Sequence, residues 1–303
     1  MANAAAANKA FIDPAVLARL GNLDLIARTL MKGVLIGLHR SPDFGISQEF
    51  AEYRAYNEGD DPRLIDWNVY ARTDRTYIKR FLGETNSRLM LALDTSASMG
   101  FRSRDAALSK LDYGRYLAAS LAYLAHRQRD AIGLLCFDEE LRDLRPPSSR
   151  HGQLQWVIQG LQQAAAESGS DFHQPLKKGL SGIRRSGMVA VISDFYCDCD
   201  QLLDSLRPLA IQGHDLMLFH LMDPMELVPK AKHSQLFQDS ETGEVLEVSA
   251  RFLEQDYPAR LEAHLERLKQ TAIRSGADYQ LINTAEPLEK ALHHYLSFRE
   301  RRA

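Results

Sequence analysis

An apolar run that ends abruptly in an acid constrains the fold of this chain more than any other sequence feature. Leu89-Met90-Leu91-Ala92-Leu93 has the length of a strand and is followed directly by Asp94. A continuous apolar run of this kind is typical of a strand buried on both faces of a parallel sheet. Two similar runs, Ala131 to Phe137 and Met188 to Ile192, follow along the chain. We therefore expect a parallel sheet whose strands end in polar residues.

Helical stretches alternate with these strands, notably over residues 106–128, 152–166, 200–212 and 252–275. Further strands are predicted from Asp215 to Leu221 and from Asp278 to Ile282, and a hairpin insertion near residues 234–248. Strands that alternate with helices indicate a doubly wound, mostly parallel α/β sheet of the Rossmann-like kind. We assign this domain to residues 88–303.

Residues 1–87 have a different pattern and are predicted to form a small N-terminal arm. Helical spacing over residues 14–38 is followed by two short extended runs, Glu49 to Tyr56 and Thr76 to Phe81. Loop-forming residues separate the two runs, and Asn57 to Pro62 has the composition of a turn. The arm is therefore expected to contain helix and β-structure.

The bulk composition excludes several classes of protein. The 303 residues carry a net charge of −3, which gives no indication of nucleic-acid binding. Three cysteines are too few for a disulfide framework, and no apolar run reaches the roughly 20 residues that a membrane helix needs. We expect a cytoplasmic protein that does not bind nucleic acid and does not insert into a membrane.

The acid after the first strand begins a group of candidate metal ligands. Ser96 and Ser98 follow Asp94 at the second and fourth positions, and Asp194 lies just past the strand that begins at Met188. In a parallel sheet the carboxyl ends of the strands share one edge, where ligands bind. Carboxylate and hydroxyl oxygens suit Mg²⁺, with Mn²⁺ or Ca²⁺ as alternatives. The competing interpretation is that both serines cap a helix.

The pattern Asp94-x-Ser96-x-Ser98 resembles the metal-ion-dependent adhesion site of von Willebrand factor A domains. The resemblance implies two further ligands, a threonine from a later loop and an aspartate after a further strand. Asp194 matches the aspartate. In the candidate loop Ser168-Gly169-Ser170-Asp171, Ser170 replaces the threonine, and Asp171 is the alternative ligand.

A second, longer resemblance covers nearly the whole chain. Its upstream part includes Arg54-x-Tyr56-x-x-Gly59-Asp60-Asp61-x-Arg63-x-Ile65-Asp66-Trp67, and its downstream part includes Asp223-Pro224-x-Glu226. These residues resemble the bacterial family catalogued as domain of unknown function 58. The resemblance implies an adaptor or co-chaperone that works with a MoxR-type AAA+ ATPase and a client protein. We expect a protein-interaction module and assign no catalytic residue.

Two other functions remain as alternatives. Strand-end aspartates with Mg²⁺ also form hydrolase and nuclease sites, although the second aspartate of a haloacid-dehalogenase-like phosphatase is replaced by Ser96. No glycine-rich phosphate-binding motif is present in the sequence. Cys197-x-Cys199 is a candidate metal or redox pair, but its spacing is not that of a zinc motif, and an ordinary loop is the simpler interpretation.

Overall fold

The computed structural model describes residues 12–39, 49–56, 65–82, 87–167, 169, 173–180, 185–230, 233–238 and 243–302. They belong to two compact units, one combining Met1–Val34 with Ser87–Ala303 and the other consisting of Leu35–Asn86. The sequence prediction grouped residues 1–87 into one segment. Residues 12–34 instead belong with the larger unit, where the Ile12 backbone N–H donates to Glu289 Oε1 at 2.8 Å.

Two helices open the described chain, α1 (Pro14–Leu20) and α2 (Leu23–His39). Asp13 caps α1, since its Oδ1 accepts a hydrogen bond from the Ala15 backbone N–H at 2.8 Å. The single helix predicted over residues 14–38 is broken at Gly21, whose φ of +61° lies in the left-handed region that favours glycine. Two helices joined by a short turn therefore replace one long helix.

The smaller unit contains β1 (Glu49–Ala55), α3 (Trp67–Thr73) and β2 (Tyr77–Leu82). The two strands pair antiparallel with an irregularity near Phe50, and Asp66 begins α3 by accepting from the Val69 backbone N–H at 3.3 Å. This confirms the predicted β-containing arm. Asp60 and Asp61 of the upstream family motif lie outside the described residues.

A six-stranded sheet forms the centre of the larger unit. The strands of this unit are β3 (Arg88–Asp94), β4 (Ala131–Phe137), β5 (Leu141–Ser148), β6 (Met188–Ser193), β7 (Asp215–Met222), β8 (Gln235–Gln238), β9 (Val245–Val248) and β10 (Asp278–Asn283). The sheet order is β10-β7-β6-β3-β4-β5, and only β5 runs antiparallel to its neighbour. This confirms the predicted mostly parallel sheet.

Helices cover both faces of this sheet. They are α4 (Lys110–Arg127), α5 (Gln153–Gln163), α6 (His173–Leu180), α7 (Cys199–Ile211), α8 (Pro224–Leu227), α9 (Tyr257–Ser275) and α10 (Glu289–Arg302). Leu176, Leu202 and Leu268, from α6, α7 and α9, share one buried cluster with inward residues of the sheet. Gly114 of α4 lies against Leu93 on the opposite face. The sheet is therefore doubly wound, as predicted.

The edge strand β5 was missed by the sequence prediction. Its sequence, Leu-Arg-Asp-Leu-Arg-Pro-Pro-Ser, has few apolar residues and two prolines, which are tolerated in sheets only at edges and bulges. The register between β4 and β5 shifts between Ile132 and Leu134, opposite the prolines. The hairpin insertion was predicted correctly and consists of β8 and β9, paired antiparallel.

The strand order places a topological switch point between β3 and β6. From β3 the chain continues outward through β4 and β5, and it returns to the other side of β3 with β6, β7 and β10. Connections that leave neighbouring strands in opposite directions open a crevice at the carboxyl ends of those strands. Asp94 ends β3 and Asp194 follows β6, so both candidate ligands lie at this crevice.

Candidate functional site

Asp94 and the residues after β6 meet at the switch point. Asp94 is only 1% exposed, and its Oδ2 accepts a hydrogen bond from Ser193 Oγ at 2.5 Å. Ser193 Oγ in turn accepts from the Phe195 backbone N–H at 2.8 Å. The ends of β3 and β6 are therefore joined by side chains as well as by the sheet.

The segment after Asp94 folds back over its carboxylate. The Ser96 backbone N–H donates to Asp94 Oδ1 at 2.8 Å, and the hydroxyl oxygens of Ser96 and Ser98 lie 3.2 Å apart. Ser96 precedes the 3₁₀ turn Ala97–Gly100 but makes no side-chain capping bond to it. The helix that follows, α4, is capped by Ser109. The helix-cap interpretation of Ser96 and Ser98 is therefore wrong. The Ser96 side chain instead hydrogen-bonds Asp94, and its hydroxyl also contacts that of Ser98.

The Asp94 carboxyl is harder to ionise than an ordinary aspartate and has no counter-charge among the described residues. Burial, and secondly the nearby charge of Asp194, raise its pKa from 3.8 to about 7, although hydrogen bonds from Ser193 and Ser96 oppose this rise. Among the ion pairs of the described residues, none supplies Asp94 with a cationic partner. A buried carboxylate beside two hydroxyls and without a counter-charge has the chemistry of a site for a hard cation. Asp94, Ser96 and Ser98 therefore fit Mg²⁺.

Asp194 lies in a different environment, because a lysine is bound to it. Lys110 Nζ donates to Asp194 Oδ2 at 2.8 Å and to Glu226 Oε1 at 2.7 Å, and Lys110 has no exposed surface. Phe195, directly after Asp194, has a φ of +50°, which is rare for a bulky residue and is typical of constrained functional segments. The structure therefore brings Asp94, Ser96, Ser98 and Asp194 to one crevice, with Asp194 already paired.

The remaining predicted ligands fall on a segment that is not described. Ser170 and its alternative Asp171 lie outside the described residues, so the fourth ligand stays a prediction. Within the described part of the chain, no three His, Cys, Asp or Glu side chains converge as potential metal ligands. A cation site here therefore depends on the serine hydroxyls as well as on carboxylates.

Three residues of the site were not assigned from the sequence. Ser193 and Lys110 were missed, and Glu226 was noted only as part of the family resemblance. Ser193 ends β6 directly after an apolar run, which is the same signal that identified Asp94 at the end of β3. Lys110 is the first residue of α4, a position where the helix dipole disfavours a positive charge, so its presence there was a usable signal.

Sequence comparison assigns the chain to a family. Residues 52–267 match the family described as "Protein of unknown function DUF58". The chain belongs to this family. The DUF58 chain is also 28% identical, over 277 residues, to the uncharacterized proteins Rv1480 of Mycobacterium tuberculosis and Mb1516 of Mycobacterium bovis. The match covers 90% of this chain and 86% of each relative.

Solved structures that are similar to the DUF58 chain match it at low identity. BatB from Bacteroides thetaiotaomicron is 16% identical with a TM-score of 0.47, covering 69% of this chain and 96% of its own. The SpRpn10 VWA domain is 11% identical with a TM-score of 0.39, covering 68% and 93%. The mussel byssus protein PTMP1 with a zinc-occupied MIDAS motif is 9% identical with a TM-score of 0.42, covering 70% and 48%.

Two other sequence predictions can be compared with the structure of the DUF58 chain. Cys197 and Cys199 are free thiols, and burial raises the pKa of both, so neither is an activated thiolate. Cys199 is the first residue of α7, with Asp198 as the helix cap. Among the described helices, none combines the length and the apolar character that crossing a membrane requires.

Proposed function

We propose that this DUF58 chain is a metal-dependent protein-interaction module and not an enzyme. Asp94, Ser96 and Ser98 hold a divalent cation, Mg²⁺ in preference to Mn²⁺ or Ca²⁺. Asp194 and either Ser170 or Asp171 complete the site. When bound, the cation supplies an open coordination position that a carboxylate of a partner protein fills.

One observation carries this proposal. Asp94 is buried at the switch point beside two serine hydroxyls, without a cationic partner among the described residues. Burying a charged carboxylate without a counter-charge costs roughly several kcal/mol of folding free energy. A bound cation would offset this cost. The chain's own residues contribute by fixing the carboxylate, since Ser193 and the Ser96 backbone hold both of its oxygens.

The partner follows from the family. The resemblance stated above points to a MoxR-type AAA+ ATPase, with this chain as an adaptor or co-chaperone that links it to a client protein in the cytoplasm. Two exposed aromatic residues at the site, Phe101 and Tyr196, add apolar surface that a protein partner can cover.

Cation binding by an Asp94→Asn variant tests the site. The substitution keeps the size of the side chain and removes its charge, so we expect the wild type to bind Mn²⁺ or Mg²⁺ and the variant to bind neither. Calorimetric titration measures both. Asp204→Asn, at an exposed position on α7, serves as the control for the loss of one acidic charge. Equal binding by the wild type and Asp94→Asn contradicts the assignment.

Affinity capture separates the adaptor from the hydrolase alternative. Wild type and Asp94→Asn are used as baits in bacterial extract with Mg²⁺ or with a chelator. We expect an ATPase or client that is lost both in the variant and with the chelator. Cleavage of a generic phosphodiester by the wild type, in the absence of any metal-dependent partner, would instead establish the hydrolase.

A further inference from the structure

Lys110 is a buried lysine with a defined pair of acidic partners. It has no exposed surface, and its Nζ lies 2.8 Å from Asp194 Oδ2 and 2.7 Å from Glu226 Oε1. A buried ammonium is tolerated only where its charge and its hydrogen bonds are satisfied. The lysine and its two carboxylates are therefore one electrostatic unit, which we call the Lys110 cluster.

The fold holds the Lys110 cluster rigidly. Ser109 caps α4, so that Lys110 begins the helix beside the crevice. Glu226 is fixed from the other side, because its Oε2 accepts from the Asp223 backbone N–H at 2.8 Å within the capping box of α8. The rings of Tyr196 and Phe101 cover the ammonium, with centroids 4.7 and 5.8 Å from Nζ.

The Lys110 cluster borders the proposed cation site directly. Asp194 is shared between them, since it is a predicted ligand and also the lysine's partner. The negative charge of Asp194 is also close enough to act on Asp94. When ionised, the three carboxylates of the crevice and the one ammonium leave two negative charges, which a single divalent cation balances.

We propose that Lys110 is a built-in cation that competes with the divalent ion for Asp194 and keeps metal affinity low. This inference rests on the proposed function and concerns the regulation of the same site. Lys110 is a positioning residue: it turns the Asp194 carboxylate toward α4 and Glu226. The site then binds a cation mainly through Asp94 and its two serines. Because the cation then binds weakly, occupancy of the cation site depends on the additional carboxylate that the partner protein supplies.

Removing the lysine charge tests the proposal. In Lys110→Met, Asp194 becomes free to coordinate and the repulsion from the ammonium is lost. We expect Mn²⁺ to bind tighter by on the order of tenfold or more, as a unit charge at this range implies. Loss of the free Mn²⁺ paramagnetic resonance signal on titration measures the affinity. Because the buried Asp194 and the half-buried Glu226 lose their partner, Mn²⁺ should also raise the unfolding temperature of this variant more than that of the wild type.

A second variant shifts the affinity in the opposite direction and keeps the lysine. In Glu226→Gln one carboxylate is removed and Lys110 pairs with Asp194 alone, so we expect Mn²⁺ binding to weaken by about threefold or more. Asp204→Asn removes one exposed acid and should leave the affinity unchanged. If Lys110→Met does not fold, an unchanged Mn²⁺ affinity in Glu226→Gln would still overturn the role of the Lys110 cluster.

The outcomes separate this inference from the proposed function. If the wild type binds Mn²⁺ and neither variant changes the affinity, the role of Lys110 is overturned and the metal site stands. If the wild type does not bind Mn²⁺ but Lys110→Met does, the built-in cation is supported and metal dependence of the natural chain is overturned. If neither protein binds Mn²⁺, both proposals fail.

Discussion

Asp94 and Asp194 are buried aspartates at neighbouring strand ends, and they differ in their partners. Asp194 faces an ammonium, whereas Asp94 receives hydrogen bonds from a hydroxyl and a backbone N–H. Neutral donors stabilise a carboxylate less than a full positive charge does. The difference between the two acids thus depends on a few atoms around each one, and single substitutions are sufficient to test it.

Ser193 provides the first of these tests. Its hydroxyl donates to Asp94 and accepts from the Phe195 backbone, so Ser193→Ala removes one hydrogen bond from each of two buried groups. We expect a loss of about 1–3 kcal/mol in the free energy of unfolding, measured with denaturant. Ser120→Ala is the control, because this buried hydroxyl donates only to the carbonyl of Tyr116 in its own helix. Equal losses in the two variants would contradict the role of Ser193.

Glu289 should make the stability of the folded protein depend on pH. It begins α10, and burial raises the pKa of its carboxyl above the ordinary 4.5. The folded state therefore keeps a proton that the unfolded state loses above pH 4.5, so this residue's contribution to stability is lost as pH rises through the folded pKa. Glu289→Gln keeps an acceptor for the Ile12 backbone N–H and should become more stable relative to wild type as pH rises.

Denaturant midpoints measured at several pH values between 4 and 7 check this expectation. The exposed acid Glu262, substituted in the same way, is the matched control on α9. Parallel curves for wild type and Glu289→Gln would show that the charge of Glu289 has no effect on folding.

The sequence placed a candidate residue correctly in the fold where that residue follows a recognisable strand. Asp94, Ser96, Ser98 and Asp194 were all placed at the correct edge of the sheet, because apolar runs define where the strands end. Lys110 could not be paired in the same way. Its partners lie far along the chain, and no local pattern specifies which acids reach it.

At the scale of elements, close approach between β4 and β5 explains the bulge at the sheet edge. A Cβ at Gly133 would lie 2.8 Å from both the Arg145 carbonyl oxygen and the Pro147 nitrogen. Both are backbone atoms, so they cannot rotate away as the end of a side chain can. The edge strand therefore requires glycine at this position of β4.

Gly133→Ala should consequently destabilise the protein by about 1–3 kcal/mol through overpacking. Gly179→Ala on α6 is the comparison, because the three atoms nearest to its added methyl group would all be side-chain atoms of Leu135. We expect a smaller loss there, since alanine also favours the helix. Denaturant unfolding of both variants measures the difference, and an equal or larger loss at Gly179 would be evidence against this account of β5.

The buried strands were predicted almost to the residue, whereas the two edge strands of the sheet differ. β4 was predicted with its observed bounds, and β3, β6 and β7 to within a residue or two, because each is a buried apolar run between polar residues. The edge strand β10 was also predicted to within a residue, although it is mostly half-buried. β5 was missed because an exposed edge strand with prolines has the pattern of a loop. The predicted start of α4 at Ala106 was four residues too early, since Ser109 caps the helix and Lys110 is its first residue.

At the scale of the whole molecule, a cation at the switch point should stabilise the fold. A ligand that binds only the folded state adds about 2.7 kcal/mol when its concentration is 100 times its Kd. Thermal unfolding of the wild type should therefore shift upward as Mg²⁺ or Mn²⁺ is added and fall back with chelator. In Asp94→Asn the shift should be absent. A shift of the same size in the variant would indicate that cations stabilise the chain elsewhere.

The pairing of β3 with β6 also affects the order of folding events. Leu89 pairs with Met188 and Leu93 with Ile192, so this central contact joins segments that are distant in sequence. Contacts that close long loops form slowly, after local helices and hairpins. Asp94 and Ser193 cannot meet until this closure is complete. A nascent or partly folded chain therefore lacks the crevice, and the proposed cation and partner should bind only the finished molecule.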